Sequence, residues 1–406
     1  MINELVVFSV VAGIIFLGFG GEIFFKRTGI SYFLFLIFVG ILLGPIFHIF
    51  PREPLIPVLG LFSSFTLIMV LFYSGMDMKI REVIRGSPRT LLQVSIYVVV
   101  SIFAIGLFGR FVLNWDLAQS LMFGCMIGGE TTAAVVVPLT RSLSLQEKTV
   151  TFLTLESLVN SILSIVFFVA FLDLYKHGTT SWIVPIQSIT ENFLVGIAIG
   201  LALSISWLFV LRYLRGLKYK YVFTLGLLFA TYSITQVLNG NGLIAVLIFG
   251  LLLGNEKSVL LRLRQKFTIS DMSGQFKEFQ SEMSFLMETF FFVFLGLTFI
   301  IVPSTILYNL AIASVFFAIL LVIRYFATRV STKGSELEKD KKIIFLICAM
   351  GIVPATLSIV GLNEGLPLAN TFVSLVVYVI ILTNIITTVG VLFVSRKAKD
   401  LTEKKK

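Results

Sequence analysis

One acid stands where an apolar chain should not carry one. Glu130 lies in Gly128-Gly129-Glu130-Thr131-Thr132-Ala133-Ala134, inside a long apolar run. A carboxylate flanked by the Thr131 and Thr132 hydroxyls, with carbonyls freed by the Gly128-Gly129 pair, is an all-oxygen donor set that suits a hard cation. The same carboxylate can hold a proton instead. A group that carries either a proton or a monovalent cation, never both, loads them in alternation. That predicts one-for-one, electroneutral exchange. A second cluster is Glu156-Ser157-Leu158-Val159-Asn160-Ser161. At helical spacing Glu156 and Asn160 share a face, as do Ser157 and Ser161. Polar groups this dense in hydrocarbon must find partners, so hydrogen bonding between helices competes with ion binding as their role. The third group is Arg324, inside another apolar run. An arginine at depth needs an acidic partner or a route to the interface. Glu156 lies at a similar depth, so a Glu156–Arg324 ion pair is expected, with snorkelling of Arg324 as the alternative. Paired in this way, Glu156 is structural and Glu130 is the free carboxylate near the midplane.

These residues must be positioned by membrane helices. The chain has 406 residues, 57% hydrophobic and only 13% charged, with a mean hydropathy of +1.00. A soluble domain carries about 25% charged residues, so a soluble enzyme is excluded. Two cysteines exclude a disulfide scaffold. Apolar runs bounded by polar clusters give thirteen helical spans: 5–25, 30–48, 55–75, 91–113, 117–140, 149–173, 191–211, 221–239, 242–255, 284–302, 305–328, 342–361 and 368–394. The net charge of +10 invites a nucleic-acid partner until the bases are located. All but four of the 32 basic residues fall in odd-numbered connections or the C-terminal tail; the exceptions are Arg52, Lys176, Arg110 and Arg324. The positive-inside rule reads this as topology, with the N-terminus outside and the C-terminus cytoplasmic in a multi-pass cell-membrane protein. The first span lacks a basic segment before it and is read as retained, not as a cleaved signal. Cys125 and Cys348 read as packing residues. His48 and His177 are too isolated for a metal site, and nothing calls for a cofactor. Glu22 and Lys26 are spaced as a helix-end pair, and Glu288, about one turn inside span 10, is placed to snorkel.

The chain also repeats itself. Gly40-Ile41-Leu42-Leu43-Gly44-Pro45 ends span 2, and Gly250-Leu251-Leu252-Leu253-Gly254-Asn255 ends span 9. Phe72-Tyr73-Ser74-Gly75-Met76 ends span 3, and Val293-Phe294-Leu295-Gly296-Leu297 lies late in span 10. Span 5 is interrupted at Gly128-Gly129, with Pro138 beyond, and span 12 at Gly351 with Pro354. Spans 1–6 thus match spans 8–13, and an odd offset of seven spans gives the halves opposite topology. The expected organisation is a first repeat over 1–173, a linker helix over 174–220, a second repeat over 221–394 and a basic tail over 395–406. Inverted repeats with discontinuous helices meeting near the midplane are transporter architecture, and glycine and proline make spans 5 and 12 the broken helices.

With these residues in view, the chain resembles the monovalent cation:proton antiporter superfamily, in its sodium/hydrogen exchanger branch. The resemblance rests on Gly40–Pro45, on Phe290-Phe291-Phe292-Val293-Phe294-Leu295-Gly296-Leu297, on Glu156-Ser157-Leu158-Val159-Asn160 and on Arg324. It implies exchange of Na+ or K+ for H+, a homodimer, a core domain containing broken helices 5 and 12, and elevator-like alternating access. It also implies pairing of Glu156 with Arg324. Two departures stand out. The branch typically has an aspartate after the asparagine of span 6, where this chain has Ser161, and often an aspartate after the threonine of the span 5 break, where this chain has Thr132 and, just before, Glu130. A basic residue usual in span 12 is also missing from Met350-Gly351-Ile352-Val353-Pro354-Ala355-Thr356. Antiport through Glu130 therefore competes with a second reading, a transport-incompetent relative serving as a membrane sensor or subunit.

Overall fold

A computed structural model of the protein describes residues 4–50, 55–78, 88–132, 135–136, 145–177, 183–213, 219–262 and 273–403. Pro138 and several of the basic connection residues lie outside them. The architecture is all-helical. In chain order the elements are α1 (Glu4–Thr28), α2 (Tyr32–Ile41), α3 (Leu55–Asp77), α4 (Pro88–Phe111), α5 (Leu117–Ile127), α6 (Glu147–His177) and α7 (Ile183–Tyr213). They continue with α8 (Lys220–Val237), α9 (Gly242–Gly254), α10 (Ser273–Leu297), α11 (Pro303–Thr332), α12 (Lys341–Leu346), α13 (Ile352–Asn363) and α14 (Ala369–Glu403). Each of the thirteen spans contains helix among the described residues, with α12 and α13 as the two halves of span 12; in span 5 that helix is α5 and the two residues 135–136. Among the described residues, seven helices are long and apolar enough to cross a membrane, and four more are apolar but short: Tyr32–Ile46, Leu117–Ile127, Gly242–Gly254 and Ile352–Asn363.

The short ones show how sequence breaks a helix. Pro45 has no N–H to donate, so span 2 widens into a π turn over Leu42–Ile46, and Phe47 N–H reaches back to the Leu42 carbonyl at 2.9 Å. Asp116 caps α5 by accepting from Ala118 N–H (2.9 Å) and Gln119 N–H (3.2 Å). The helix then stops at Gly128, and Gly129 takes φ +82°, a left-handed conformation in which a side chain is strained.

The chain forms two compact units. One comprises 1–63, 87–175 and 288–406; the other comprises 64–86 and 176–287. Each draws helices from both halves of the sequence, so compactness does not follow the repeats. The repeats instead appear in matched close contacts. In the first unit, a Cβ on Gly40 would strike the Val293 carbonyl, one on Gly44 the Leu297 carbonyl, and one on Gly296 the Ile37 carbonyl. In the second unit, a Cβ on Gly250 would strike the Phe72 carbonyl, one on Gly254 the Met76 carbonyl, and one on Gly75 the Leu247 carbonyl. An offset of 210 carries Ile37, Gly40 and Gly44 onto Leu247, Gly250 and Gly254. An offset of 221 carries Phe72, Gly75 and Met76 onto Val293, Gly296 and Leu297. The two seams are thus the same contact made twice, α2 against α10 and α9 against α3. Only glycine permits backbones this close.

The broken spans match less simply. The gaps run from Gly128 in span 5 and from Ile347 to Gly351 in span 12, so Gly128 opens its gap while Gly351 closes its own. The better counterpart of Gly351, the N-cap of α13, is Thr132, whose carbonyl accepts from Val135 (3.2 Å) and Val136 (3.0 Å) N–H as the helix resumes. Pro354 lies not in the gap but in the first turn of α13, where a missing N–H leaves nothing unpaired.

Several element boundaries differ from the apolar runs. α10 starts at Ser273, eleven residues before the run at 284, because the polar stretch Lys277-Glu278-Phe279-Gln280 has good helix formers and helices need not end where hydrocarbon does. Glu288 is therefore deep in its helix and does not snorkel. It is 9% exposed, and the Tyr32 hydroxyl donates to its Oε2. Likewise α11 runs on to Thr332, which leaves Arg324 eight residues from the helix end and fully buried. Lys26 does pair with Glu22, at 2.7 Å on the surface of α1.

Candidate functional site: a crossing of two broken helices

The first unit brings the two gaps together. Thr132 N–H donates to the Ala349 carbonyl at 2.8 Å, and Gly351 N–H donates to Glu130 Oε2 at 3.4 Å. A Cβ on Gly351 would meet Thr132 and the ring of Phe33, so the crossing requires glycine there. The two gaps pass side by side, and Glu130 sits at the N-terminal end of α13, where the helix dipole favours a negative charge.

The gap in span 12 carries no hydrogen-bonding side chain apart from the Cys348 thiol, so other elements must satisfy its buried backbone. Arg324 serves the C-terminal end of α12. Its Nε donates to the Phe345 carbonyl (3.0 Å) and its Nη2 to the Ile344 carbonyl (2.8 Å) and to the Ile347 carbonyl. A cation on the last carbonyls of a helix is favourable in its own right. Thr387 accepts from Cys348 N–H (3.1 Å) and donates to the Leu346 carbonyl (3.0 Å). Thr383 accepts from Met350 N–H (3.3 Å), and Asn384 Nδ2 donates to the Met350 carbonyl (2.7 Å).

Arg324 also meets Glu156. Nη1 donates to Oε1 at 2.9 Å and Nη2 to Oε2 at 3.4 Å, with both side chains 0% exposed. Gln93 Nε2 adds a bond to Glu156 Oε1 (3.1 Å) and another to Thr328 Oγ1 (3.3 Å). The Ser331 hydroxyl donates to Gln93 Oε1 at 2.9 Å. The Tyr97 ring lies 4.9 Å from the guanidinium carbon, close enough for a cation–π contact. Here a buried charge pair has what it needs to persist: opposite charge, good geometry and satisfied neighbours.

Glu130 lives differently. It is 1% exposed. Among the described residues its hydrogen-bond partner is the Gly351 N–H, at a distance long for a bond to a carboxylate, and the Ser161 side chain lies close by. No cationic side chain pairs with it among the described residues. Next to it in the chain and along α6, polar atoms outnumber the hydrogen bonds they make. Thr131 Oγ1, Ser157 Oγ, Asn160 Oδ1 and Nδ2 and Ser164 Oγ are buried with no hydrogen-bond partner among the described residues. Ser157, Asn160, Ser161 and Ser164 recur at spacings of three and four, a polar stripe on one face of α6. Ser161 Oγ donates to the Ser157 carbonyl at 3.0 Å, which commits its proton within α6 and leaves its lone pairs for a protonated carboxyl or a cation. Of the residues singled out in the sequence, the structure thus joins Glu130, Thr132, Gly351 and Ser161 at the crossing. It joins Glu156 to Arg324 beside it. It buries Thr131, Ser157 and Asn160 with side-chain polar atoms that have no partner among the described residues.

Gln93, Tyr97, Thr328, Ser331, Thr383, Asn384 and Thr387 were not evident as site residues. Their signal was faint but present. Gln93 and Tyr97, Arg324, Thr328 and Ser331, and Thr383 and Thr387 recur at helical spacing inside apolar spans, and such polar stripes must face a partner.

An all-helical membrane fold of inverted repeats, crossing at two broken helices around a buried carboxylate, defines a protein of the transporter class and not an enzyme. The chain belongs to the sodium/hydrogen exchanger family: the family described as "Sodium/hydrogen exchanger, transmembrane" matches residues 10–397. Its fold is similar to that of the sodium proton antiporter MjNhaP1 from Methanocaldococcus jannaschii at pH 8, with a TM-score of 0.80, 20% identity, and 97% of this chain and 99% of that one covered. In sequence it is similar to the K(+)/H(+) antiporter NhaP2 of Shewanella oneidensis, 24% identical over 92% of this chain and 64% of the relative. It is also similar to sodium/hydrogen exchanger 8 of Arabidopsis thaliana, 28% identical over 45% of this chain and 25% of the relative. The chain therefore spans less than two thirds of the length of these curated relatives.

Proposed function

We propose that the protein is a secondary active transporter that exchanges a monovalent cation, Na+ or K+, for protons by alternating access, with Glu130 as the shared binding group. The observation that carries this reading is the poverty of Glu130's surroundings. An ionised carboxylate buried with one long N–H bond and a hydroxyl is under-compensated by several kcal/mol. A proton removes the charge; a cation balances it, drawing oxygens from Thr131, Thr132, Ser157, Asn160 and Ser161. Both cannot occupy the group together, and that exclusion is antiport. One titratable carboxylate gives one proton per monovalent cation and electroneutral exchange. The similarity to relatives described as sodium proton and K(+)/H(+) antiporters supports the substrate class.

Glu156 and Arg324 form the structural ion pair in this reading, and the halves 1–173 and 221–394 are the repeats joined by 174–220. The charge asymmetry supports an outer N-terminus and a cytoplasmic C-terminus, and the family resemblance supports a homodimer. The test is purified protein in proteoliposomes with an internal pH dye. Adding Na+ or K+ should drive proton flux that Glu130→Gln abolishes and that an imposed membrane potential does not alter. Flux that persists in Glu130→Gln would remove the assigned role. A wild type silent to every alkali cation would favour the sensor or subunit reading, for which Ser161 in place of an acid is the motive.

A further inference from the structure

The crossing depends on a helix that contributes no ligand to Glu130. Met350 and Gly351 share one trans peptide group, since no cis bonds occur among the described residues. In a trans peptide the C=O and N–H point to opposite edges. Asn384 Nδ2 holds the oxygen edge, donating to the Met350 carbonyl at 2.7 Å. Glu130 Oε2 accepts from the opposite edge, at the Gly351 N–H. The preceding peptide is held as well, because Met350 N–H donates to Thr383 Oγ1 at 3.3 Å. Asn384 is itself anchored by a second Nδ2 bond to the Ile380 carbonyl at 2.8 Å, and Thr383 by its bond to the Val379 carbonyl at 2.9 Å. Both side chains are 1% exposed. The gap residues on either side are apolar or glycine, so nothing within the gap could set this plane.

We propose that Asn384 and Thr383 of α14 are positioning residues for ion exchange, acting through the Met350–Gly351 peptide and the peptide before it to fix the N–H that faces Glu130. The inference rests on the reading of Glu130 as the ion-binding group. It assigns to α14 the orientation of the site, a role distinct from stabilising the fold. Turning the peptide plane withdraws the N–H from the carboxylate and changes how the site weighs a cation against a proton. A side chain that only supports the fold would change how much protein is active, not how each molecule binds.

The experiment compares Asn384→Leu, Thr383→Val and Thr383→Ser with wild type in the pH-dye assay, separating apparent KM for the cation from maximal rate per folded protein. Loss of the bond to the site peptide in Asn384→Leu, or to the peptide before it in Thr383→Val, should change KM by about 10-fold, with maximal rate within about twofold. Thr383→Ser keeps the hydroxyl and should restore KM. Unchanged KM in both apolar variants, or a fall in maximal rate alone, overturns the proposal. Thr383→Val and Thr383→Ser decide the matter if Asn384→Leu does not fold. Should wild type exchange no cation, the antiport reading of Glu130 fails, and thiol labelling then decides the positioning role. In a Cys125→Ala background, Cys348 in the same gap is the remaining cysteine and is 1% exposed. Faster maleimide labelling of Cys348 in Asn384→Leu or Thr383→Val than in Thr383→Ser supports the role, and equal rates overturn it.

Discussion

Two of the carboxylates buried in the first unit, Glu130 and Glu156, have opposite surroundings. Glu156 has a bidentate arginine, a glutamine and an aromatic ring over its partner. Glu130 has one long N–H bond, a serine close by, and buried polar atoms along α6 that have no partner among the described residues. Full satisfaction makes an anion permanent; partial satisfaction makes it responsive. The contrast separates a carboxylate that holds the fold from one that exchanges its counterion.

The contrast breaks most visibly through Arg324. Arg324→Met strands the Glu156 charge and three carbonyls at the end of α12, and should cost about 3–5 kcal/mol of stability. Thermal unfolding in detergent should show it, and Glu156→Gln should cost less, because the arginine keeps its carbonyl bonds. Equal costs for the two would mean that the ion pair, and not the capping of α12, carries the stability. Glu130→Gln should behave inversely. Exchange should fall by about 100-fold or more, while stability stays within about 1 kcal/mol of wild type or rises, since an under-compensated buried group is lost. Marked destabilisation would place Glu130 with Glu156 as a structural acid.

A finer prediction restores the acid typical of the family in span 6. Ser161→Asp puts a second carboxylate against the first, and exchange should become sensitive to an imposed membrane potential that leaves wild type unaffected. If neither responds, the number of carboxylates does not set the stoichiometry. The smallest effect is expected far from the crossing. Lys148 bonds Glu336 at 2.8 Å on the exposed surface and holds its carboxyl below the usual carboxylate range. A depressed carboxylate contributes stability at higher pH that is lost as pH falls through its folded value. A slight advantage of wild type over Lys148→Met at neutral pH should therefore fade below about pH 4, read as unfolding temperature across that range. An advantage that persists in acid would mean that Lys148 acts by packing.

The fold was legible because membrane helices announce themselves by length, and the glycine motifs placed the repeats. The register of the third pair was not, since Gly128 and Gly351 look alike in sequence but stand at opposite ends of their gaps. Glu156 and Arg324 could be matched by depth alone. Gln93 and Asn384 could not, because a neutral polar residue in a span signals a partner without saying which. The extent of α10 was hidden for a related reason: hydropathy marks where lipid begins, and the helix continues past it to bury Glu288 beside Tyr32.

The paired glycine seams bear on how the chain is made. Each seam joins a helix from the first half to one from the second: α2 to α10, and α3 to α9. A ribosome delivers the first half to the membrane with both of its glycine faces still bare. The α3 face cannot close until α9 has been inserted, nor the α2 face until α10 has. The early helices must therefore wait, shielded by lipid or by the insertion machinery, and the latecomers complete the seams in turn. Assembly is thus deferred to the second half of synthesis, and severing the chain between its halves would leave each fragment missing one wall of both seams.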